Sequence, residues 1–420
     1  MATHLETETP QQEYIPFRMP TIAWGTVLKI VGYVLAVVFL LWLGDRIGDN
    51  PRGVLQASIN GLLIGGIYSL VAVGIVIIIK ATGIFNFAHG GMMLVAALAF
   101  RSFFVTPTDS ISIVAVTLLA VVTVAAFLAM NSLRELLNPI RSGIGAVVVV
   151  LLVLGMTQLG DDLRLVRALI GGLTVAVLMG LLIERLSIRP LVGQPIFTMI
   201  LMTLALDALF RGLGLMLWGS IDRSLGIFRG LFQTPGVAES EAWKLPAVIR
   251  VDAGFLLESR ITTLNVDSRV LIAFGVALLL FVIFIAFFQY TNVGLAMRAT
   301  SENQVLAQSV GMRVRVVLAI AWMIAALLAL AAGVLYGAAT NVGTGMAQLV
   351  FLAFPAVLLG GLESIGGALV GGIVIGLAQS FGDYLFANDA GTQLVPYVIL
   401  MVVLVVRPDG LFGQKRIERI

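Results

Sequence analysis

Residues 69–93 read SLVAVGIVIIIKATGIFNFAHGGMM. The first half, joined to its upstream neighbours, is an apolar run long enough to cross a bilayer as a helix. The second half sets Asn86 and His89 among glycines and aromatics, and the chain turns apolar again directly afterwards. An amide and an imidazole are costly in hydrocarbon unless partners or a break in the helix compensate them. The stretch therefore predicts two membrane helices joined by a glycine-rich break, with the polar groups placed at the break.

Composition extends this reading to the whole chain. Of 420 residues, 59% are hydrophobic and only 12% are charged, and the mean hydropathy is +1.04. Soluble domains carry about a quarter charged residues. So few charges cannot cover a surface this apolar in water, and the expectation is an all-α polytopic integral membrane protein. The absence of cysteine excludes disulfides, thiolate metal sites and cysteine nucleophiles. Two histidines, one of them His4 in the polar N-terminal stretch, exclude a multi-histidine metal site. The small net charge of +3 and the lack of a basic, aromatic-interleaved patch argue against nucleic acid.

Apolar windows predict spans near 22–43, 54–80, 90–105, 111–130, 143–160, 167–186, 196–218, 270–290, 316–340, 346–361, 365–387 and 392–406. The windows 90–105 and 346–361 are short, which suits half-helices or re-entrant turns, so 10–12 segments are expected. The stretch from Ile22 reads as a retained first span. Within the polar loop 219–268, the run WKLPAVIRVDAGFLLESRITTLNVDSRV (243–270) mixes Val, Ile and Thr with charges. It lacks a helical period, and a small β-hairpin is expected there. Arg134, Arg141, Arg185, Arg189 and the basic C-terminal tail fall on one side under strict alternation, which places the C-terminus in the cytoplasm. The basic residues of 219–268 weaken that bias.

Small residues four apart mark helix contacts. Gly61 and Gly65 share one face, as do Gly367 and Gly371, and Gly372 and Gly376. Asp207 and Arg211 stand i,i+4 within TMILMTLALDALFRGLGLMLW (198–218), a spacing that permits an ion pair. Such a pair either ties this helix to a neighbour or serves a polar pathway. A second break, GGLESIGG (360–367), carries Glu363 and Ser364. Corresponding breaks in two halves of a transporter often line its path, and Asn86, Phe87, His89, Gly90, Glu363 and Ser364 are candidates for a path or gate. Tight turns that need glycine are the alternative. His89 reads more readily as a hydrogen-bonding anchor than as a proton carrier.

Between two spans lies QYTNVGLAMRATSENQVLAQSVGMRVRVVLAIAW (289–322), whose helical spacing lets Met297, Leu306 and Val310 share a face. It is either an ordinary interfacial helix or a docking helix for a partner. Arg298, Ala299, Glu302, Ala307 and Gly311 here resemble the coupling-loop signature of ABC importer permeases, more narrowly that of branched-chain (hydrophobic) amino acid importers. GIFNFAHGGMM (83–93), IERLSIRPL (183–191), the glycine-rich 357–379 and VVRPDGLFG (405–413) are similar to further segments of that family, in the family's order.

The resemblance implies a second related permease subunit, two ABC ATPase subunits and an extracytoplasmic substrate-binding protein. ATP and Mg would be held by those ATPases, with no cofactor in this chain, in the bacterial cytoplasmic (inner) membrane. It divides the chain into an N-terminal tail and extra helix (1–53), a first permease segment (54–105) and an inserted transmembrane pair (106–168). A permease core (169–413) follows, with the loop 219–268 and coupling segment 291–315, and a tail (414–420) ends it. An insertion of two spans preserves the orientation of everything downstream. No G-x-x-x-x-G-K-[ST], H-E-x-x-H or G-x-S-x-G occurs, so neither ATP hydrolysis nor hydrolase chemistry is expected. Relatives carrying urea, short amides or other amino acids, or an ion-coupled secondary transporter, are the alternatives left open by the residues.

Overall fold

The computed structural model describes residues 50–105, 163–191, 193–228, 248–252, 263–302, 304–386, 389–407 and 409–413, with a few isolated positions in 34–45 and at 147. Nearly all of the expected spans 22–43 and 143–160, the whole of 111–130, and the tail 414–420 lie outside the described residues.

The helices are α1 (Pro51–Thr82), α2 (His89–Phe104), α3 (Arg164–Leu182), α4 (Ile196–Trp218), α5 (Ser268–Tyr290), α6 (Asn292–Glu302), α7 (Gln304–Ser309), α8 (Val314–Ala339), α9 (Leu349–Gly360), α10 (Ile365–Phe386) and α11 (Asp389–Val406). A π-helical turn, Ile183–Ile188, prolongs α3, and a 3-10 turn, Thr344–Gln348, leads into α9. Among the described residues, α3 with its extension and α1, α4, α5, α8 and α10 are long and apolar enough to cross a bilayer. The shorter apolar helices are α2, α11 and the Thr344–Gly360 segment, the last matching the expected short window 346–361.

Helix α1 is the central post, its apolar stretch almost wholly buried. Lipid supplies no hydrophobic drive between helices, so close van der Waals approach has to hold them together. The glycines permit it. A methyl group at Gly61 would lie 2.7 Å from the Leu377 Cα, and one at Gly65 would lie 2.7 Å from the Ile373 Cα. On the opposing helix, a methyl at Gly376 would lie 2.5 Å from the Gly65 Cα. Helix α10 has a second bare face, where Gly367 and Gly371 meet the backbone oxygens of Gly360 and Ala356 in α9. The two glycine spacings of α10 thus serve two different neighbours. Ser69 donates its hydroxyl both to Gly65 O of its own turn (2.8 Å) and to Leu369 O of α10 (2.9 Å).

These contacts also fix direction. Gly372 meets Ser69 and Gly376 meets Gly61, while Gly53 meets Tyr384, so α10 runs antiparallel to α1. The molecule has two distinct ends. At one, strands β1 (Val248–Asp252) and β2 (Thr263–Asp267) pair antiparallel, Val248 opposite Asp267 and Asp252 opposite Thr263. The expected hairpin is formed. It sits on the start of α1, where the Gln56 amide both donates to Asn265 O (2.7 Å) and accepts from Asn265 N (2.9 Å).

Asp267 then caps α5, accepting from Arg269 N at 2.9 Å. Partial burial works to raise its pKa, but hydrogen bonds from the Arg269 side chain and from the backbone amides of Arg269 and Val270 outweigh it and hold the carboxyl below its ordinary value. A depressed carboxylate stabilises the fold above its unfolded pKa, and the contribution is lost as pH falls through the folded one. At the other end, Lys80 of α1 stands 5.5 Å from the centre of the Phe288 ring in α5, and α6 and α7 follow.

The glycine contacts give a direct test. Gly65→Leu forces α1 and α10 apart and should cost about 3 kcal/mol or more, read as a lowered Tm of the detergent-purified protein. Gly275→Ala in α5, where an added methyl meets nothing within 4 Å, should leave stability unchanged or raise it by about 0.5 kcal/mol.

Candidate functional site

The first break begins where Gly83, at φ +72°, ends α1 in the left-handed conformation and donates to Ile79 O (2.7 Å). The chain then folds back along α1 so that His89, the first residue of α2, packs on Gly74. Helix α2 therefore starts inside the bundle, about 12 Å along α1 from its C-terminal end at the helical rise. A helix N-terminus buried this way needs partners for its backbone N–H groups. They come from side chains.

Asn86 Oδ1 accepts from Ala88 N (3.1 Å), making a local turn. Asp207 Oδ1 accepts from Gly91 N (2.9 Å), a carboxylate on the positive end of the helix. Thr203 ties the break to α4, accepting from Phe87 N and donating to Phe85 O, each at 3.3 Å. Glycine is required here by close approach. A methyl at Gly91 would sit 3.0 Å from Asp207 Oδ1 and 2.8 Å from the Phe210 Cβ, displacing the cap, and one at Gly90 would collide with Ala347 O. Phe85, Phe87 and Phe354 of α9 cluster against the break, with ring centres 4.3 to 5.7 Å apart.

Asn86 and His89 are both completely buried, but only Asn86 anchors by hydrogen bonding. Neither ring nitrogen of His89 has a hydrogen-bond partner among the described residues. Its ring fills the slot left by Gly74, where a Cβ would strike it. The expectation of a hydrogen-bonding anchor belongs to Asn86 and Asp207 instead.

The second break is built differently. Gly361 sits at φ +101°, and the C-terminal segment folds over it, Leu411 N donating to Leu359 O (2.7 Å) and Phe412 N to Gly360 O (3.2 Å). Ser364 caps α10 by accepting from Gly367 N (2.9 Å). Glu363 is exposed. The two breaks thus put their polar side chains in different surroundings, one buried beside the middle of α9 and the other on the surface at its C-terminal end.

The Asp207–Arg211 pair forms at 2.7 Å. Asp207 thereby joins the break to a cavity, because Arg211 lines a space of about 500 Å3 with Tyr336, Gln348, Phe351, Gln379, Gln393 and Tyr397 among its walls. The guanidinium also lies 5.8 Å from the centre of the Phe351 ring, while its buried Nε has no partner among the described residues. Gln379 accepts a short hydrogen bond from the Tyr68 hydroxyl. The walls come from the parts of α4, α8, α10 and α11 nearest the hairpin end, together with the start of α9 and the turn before it. Sequence reading missed the glutamines, which stand far apart in the chain in otherwise apolar runs, and Thr203.

At the opposite end, α6 and α7 form the expected helical segment. Met297 is buried while Leu306 and Val310 are 63% and 71% exposed, so the three do not share a face. Nine positions at about 100° each turn Leu306 half a revolution away from Met297, so helical spacing itself sets the two on opposite sides. Arg298 turns inward, donating to Phe288 O and to Gln289 O (3.2 Å) and so capping α5. Gly311, at φ +86°, closes α7, with Met312 N donating to Ala307 O (3.1 Å). Ala307 is buried. Ala299, Glu302, Leu306 and Val310 are left facing outward. In the IERLSIRPL stretch, Arg189 grips buried Glu184 with two bonds of 2.9 and 2.7 Å across the π turn, a pairing that the helical spacing alone does not suggest.

Residues 142–404 match the family model described as "Branched-chain amino acid transport system / permease component". The chain belongs to this family. Among relatives of this permease, the high-affinity branched-chain amino acid transport system permease protein BraD of Pseudomonas aeruginosa is 25% identical over 371 residues, covering 87% of this chain and 98% of BraD. LivH of Escherichia coli (strain K12), of the same description, is likewise 25% identical over 371 residues, covering 87% of this chain and 97% of LivH. A probable LivH of Methanocaldococcus jannaschii is 32% identical over 156 residues, 35% of this chain and 49% of that protein. No solved structure matches the chain. The permease is thus an all-α multi-pass membrane protein and a transport subunit.

Asp207→Ala removes the cap of α2 and leaves Arg211 without its counter-ion in a largely buried place. It should destabilise the permease more than the double change Asp207→Ala/Arg211→Ala does relative to Arg211→Ala. A thermal-unfolding double-mutant cycle should give a coupling of about 1–2 kcal/mol.

Proposed function

We propose that this permease passes branched-chain and other hydrophobic amino acids across the bacterial cytoplasmic membrane as the membrane subunit of an ATP-binding cassette importer. An extracytoplasmic binding protein delivers the substrate to the hairpin end. A second related permease subunit completes the pathway, and two ATPase subunits, which hold the ATP and Mg, dock at the α6–α7 end. The C-terminal segment, which packs on the second break, lies on that cytoplasmic side.

The observation that carries this reading is the outward face of α6 and α7. Leu295, Ala299, Glu302, Leu306 and Val310 are exposed on a segment rigidly capped to α5 by Arg298 and to α8 by the Gly311 turn. An apolar ridge with one carboxylate, fixed to two membrane helices, suits seating in a partner's cleft. Its attachments would carry a push from the partner into α5 and α8.

Leu306→Asp and Glu302→Arg alter only exposed side chains, so the purified chain should keep its Tm. In the assembled complex, each should cut ATPase co-purification and leucine uptake at least tenfold, measured by affinity capture and in proteoliposomes. Full ATPase retention with full uptake would count against docking at this surface.

A further inference from the structure

We infer that the Arg211 cavity is a binding site for the substrate's carboxylate group, so that the permease itself selects for an acid over a neutral amide. The inference rests on the proposed amino acid transport and deepens it.

The argument starts from charge. The first turn of α2 presents a partial positive charge to Asp207 through Gly91 N–H, and Arg211 adds a full one at 2.7 Å. One carboxylate faces both. The cluster therefore keeps an excess of positive charge of roughly half a unit by the helix-terminus estimate. Only the Asp207 side is answered. The side chain of Arg211 is about a quarter exposed, and its buried Nε–H has no partner among the described residues. Arginine presents several donors in a planar fork that matches a carboxylate.

The walls agree with such a ligand. A lipid-facing wall would be apolar, whereas Gln348 of the turn before α9 and Gln393 of α11 are exposed in otherwise hydrophobic surroundings. Exposed polar side chains at membrane depth mark a watery path. Phe351, Leu349 and Leu352 supply an apolar wall beside Arg211. Carboxylate at the guanidinium and hydrocarbon side chain against α9 is an arrangement that a neutral amide would satisfy less well, because it leaves the positive excess uncompensated. The volume of about 500 Å3 falls within the range of small-molecule sites. The cavity also lies in the half of the bundle nearest the hairpin, where an arriving substrate would first meet the permease.

The absence of cysteine from this chain makes the test clean. Gln393→Cys and Gln348→Cys are introduced separately, and the full complex with its ATPases is placed in nanodiscs. Labelling of this chain by a soluble maleimide is then followed with leucine or leucinamide present. Leucine should slow labelling at both positions at least fivefold, and leucinamide should leave it unchanged. Arg211→Gln should abolish the protection, and Arg211→Lys should retain part of it.

Asp207→Asn keeps an oxygen for Gly91 N–H but frees the guanidinium charge, so protection should appear at severalfold lower leucine concentration. A purely structural role for the pair would weaken protection in Arg211→Gln and Asp207→Asn alike. Equal protection by leucine and leucinamide, protection that survives Arg211→Gln, or protection that follows the anionic lipid content of the nanodisc would each overturn the inference. A complex that takes up leucine yet shows no protection overturns this inference alone. One that takes up no branched-chain amino acid overturns the proposed transport function, and this inference with it.

Discussion

The approach of α1 to α10 at backbone distance is the contact on which the other arrangements rest. Between helices in lipid, hydrocarbon gains nothing by leaving hydrocarbon, so dispersion at close range and a few interhelical hydrogen bonds must supply the attraction. Bare glycine faces at Gly61, Gly65 and Gly376 permit that range, and Ser69 donates a hydroxyl across the contact. Because α10 uses a second face, through Gly367 and Gly371, to hold α9, the same helix positions the short segment that closes over the first break. The C-terminal residues then bind the carbonyls of Leu359 and Gly360 at the end of α9.

Within that frame the first break is a problem in satisfying backbone groups. A helix that starts in the interior cannot hydrate its first N–H groups, so Asn86, Thr203 and Asp207 take over from water. Asp207 does two jobs at once. It accepts from the first turn of α2 and holds Arg211 at the wall of a cavity. A residue pair that could have been purely structural thereby links the fold of the break to the chemistry of the space beside it.

The two ends of the bundle are specialised by different means. At the hairpin end, a glutamine side chain continues the hydrogen-bonding of a strand and fixes the loop to α1. At the other end, Arg298 and Gly311 clamp a short helical segment to α5 and α8, so its outward face is fixed to two membrane helices. Between them, α9 sets Phe351 on the cavity and Phe354 against the break.

Much of this was legible in the residues. Apolar length alone set out α1, α4, α5, α8 and α10, because hydrophobic thickness constrains helix length directly. Glycine spacing marked the packing faces, and a mixture of branched and charged residues without a helical period marked the hairpin. The coupling segment was visible as a helix, but Met297 does not share the face of Leu306 and Val310, since nine residues at about 3.6 per turn carry the chain through two and a half turns. His89 stood out for its rarity, yet its slot beside Gly74 depends on a chain reversal that no local pattern specifies. The sequence by itself determined that the chain lives in lipid, where it breaks, and to which family it is related. Only the tertiary structure decided that Asp207 caps α2 and that Gln348, Gln379, Gln393 and Arg211 surround one space. Those residues stand up to 182 positions apart, and helix packing, which no window of sequence contains, is what brings them together.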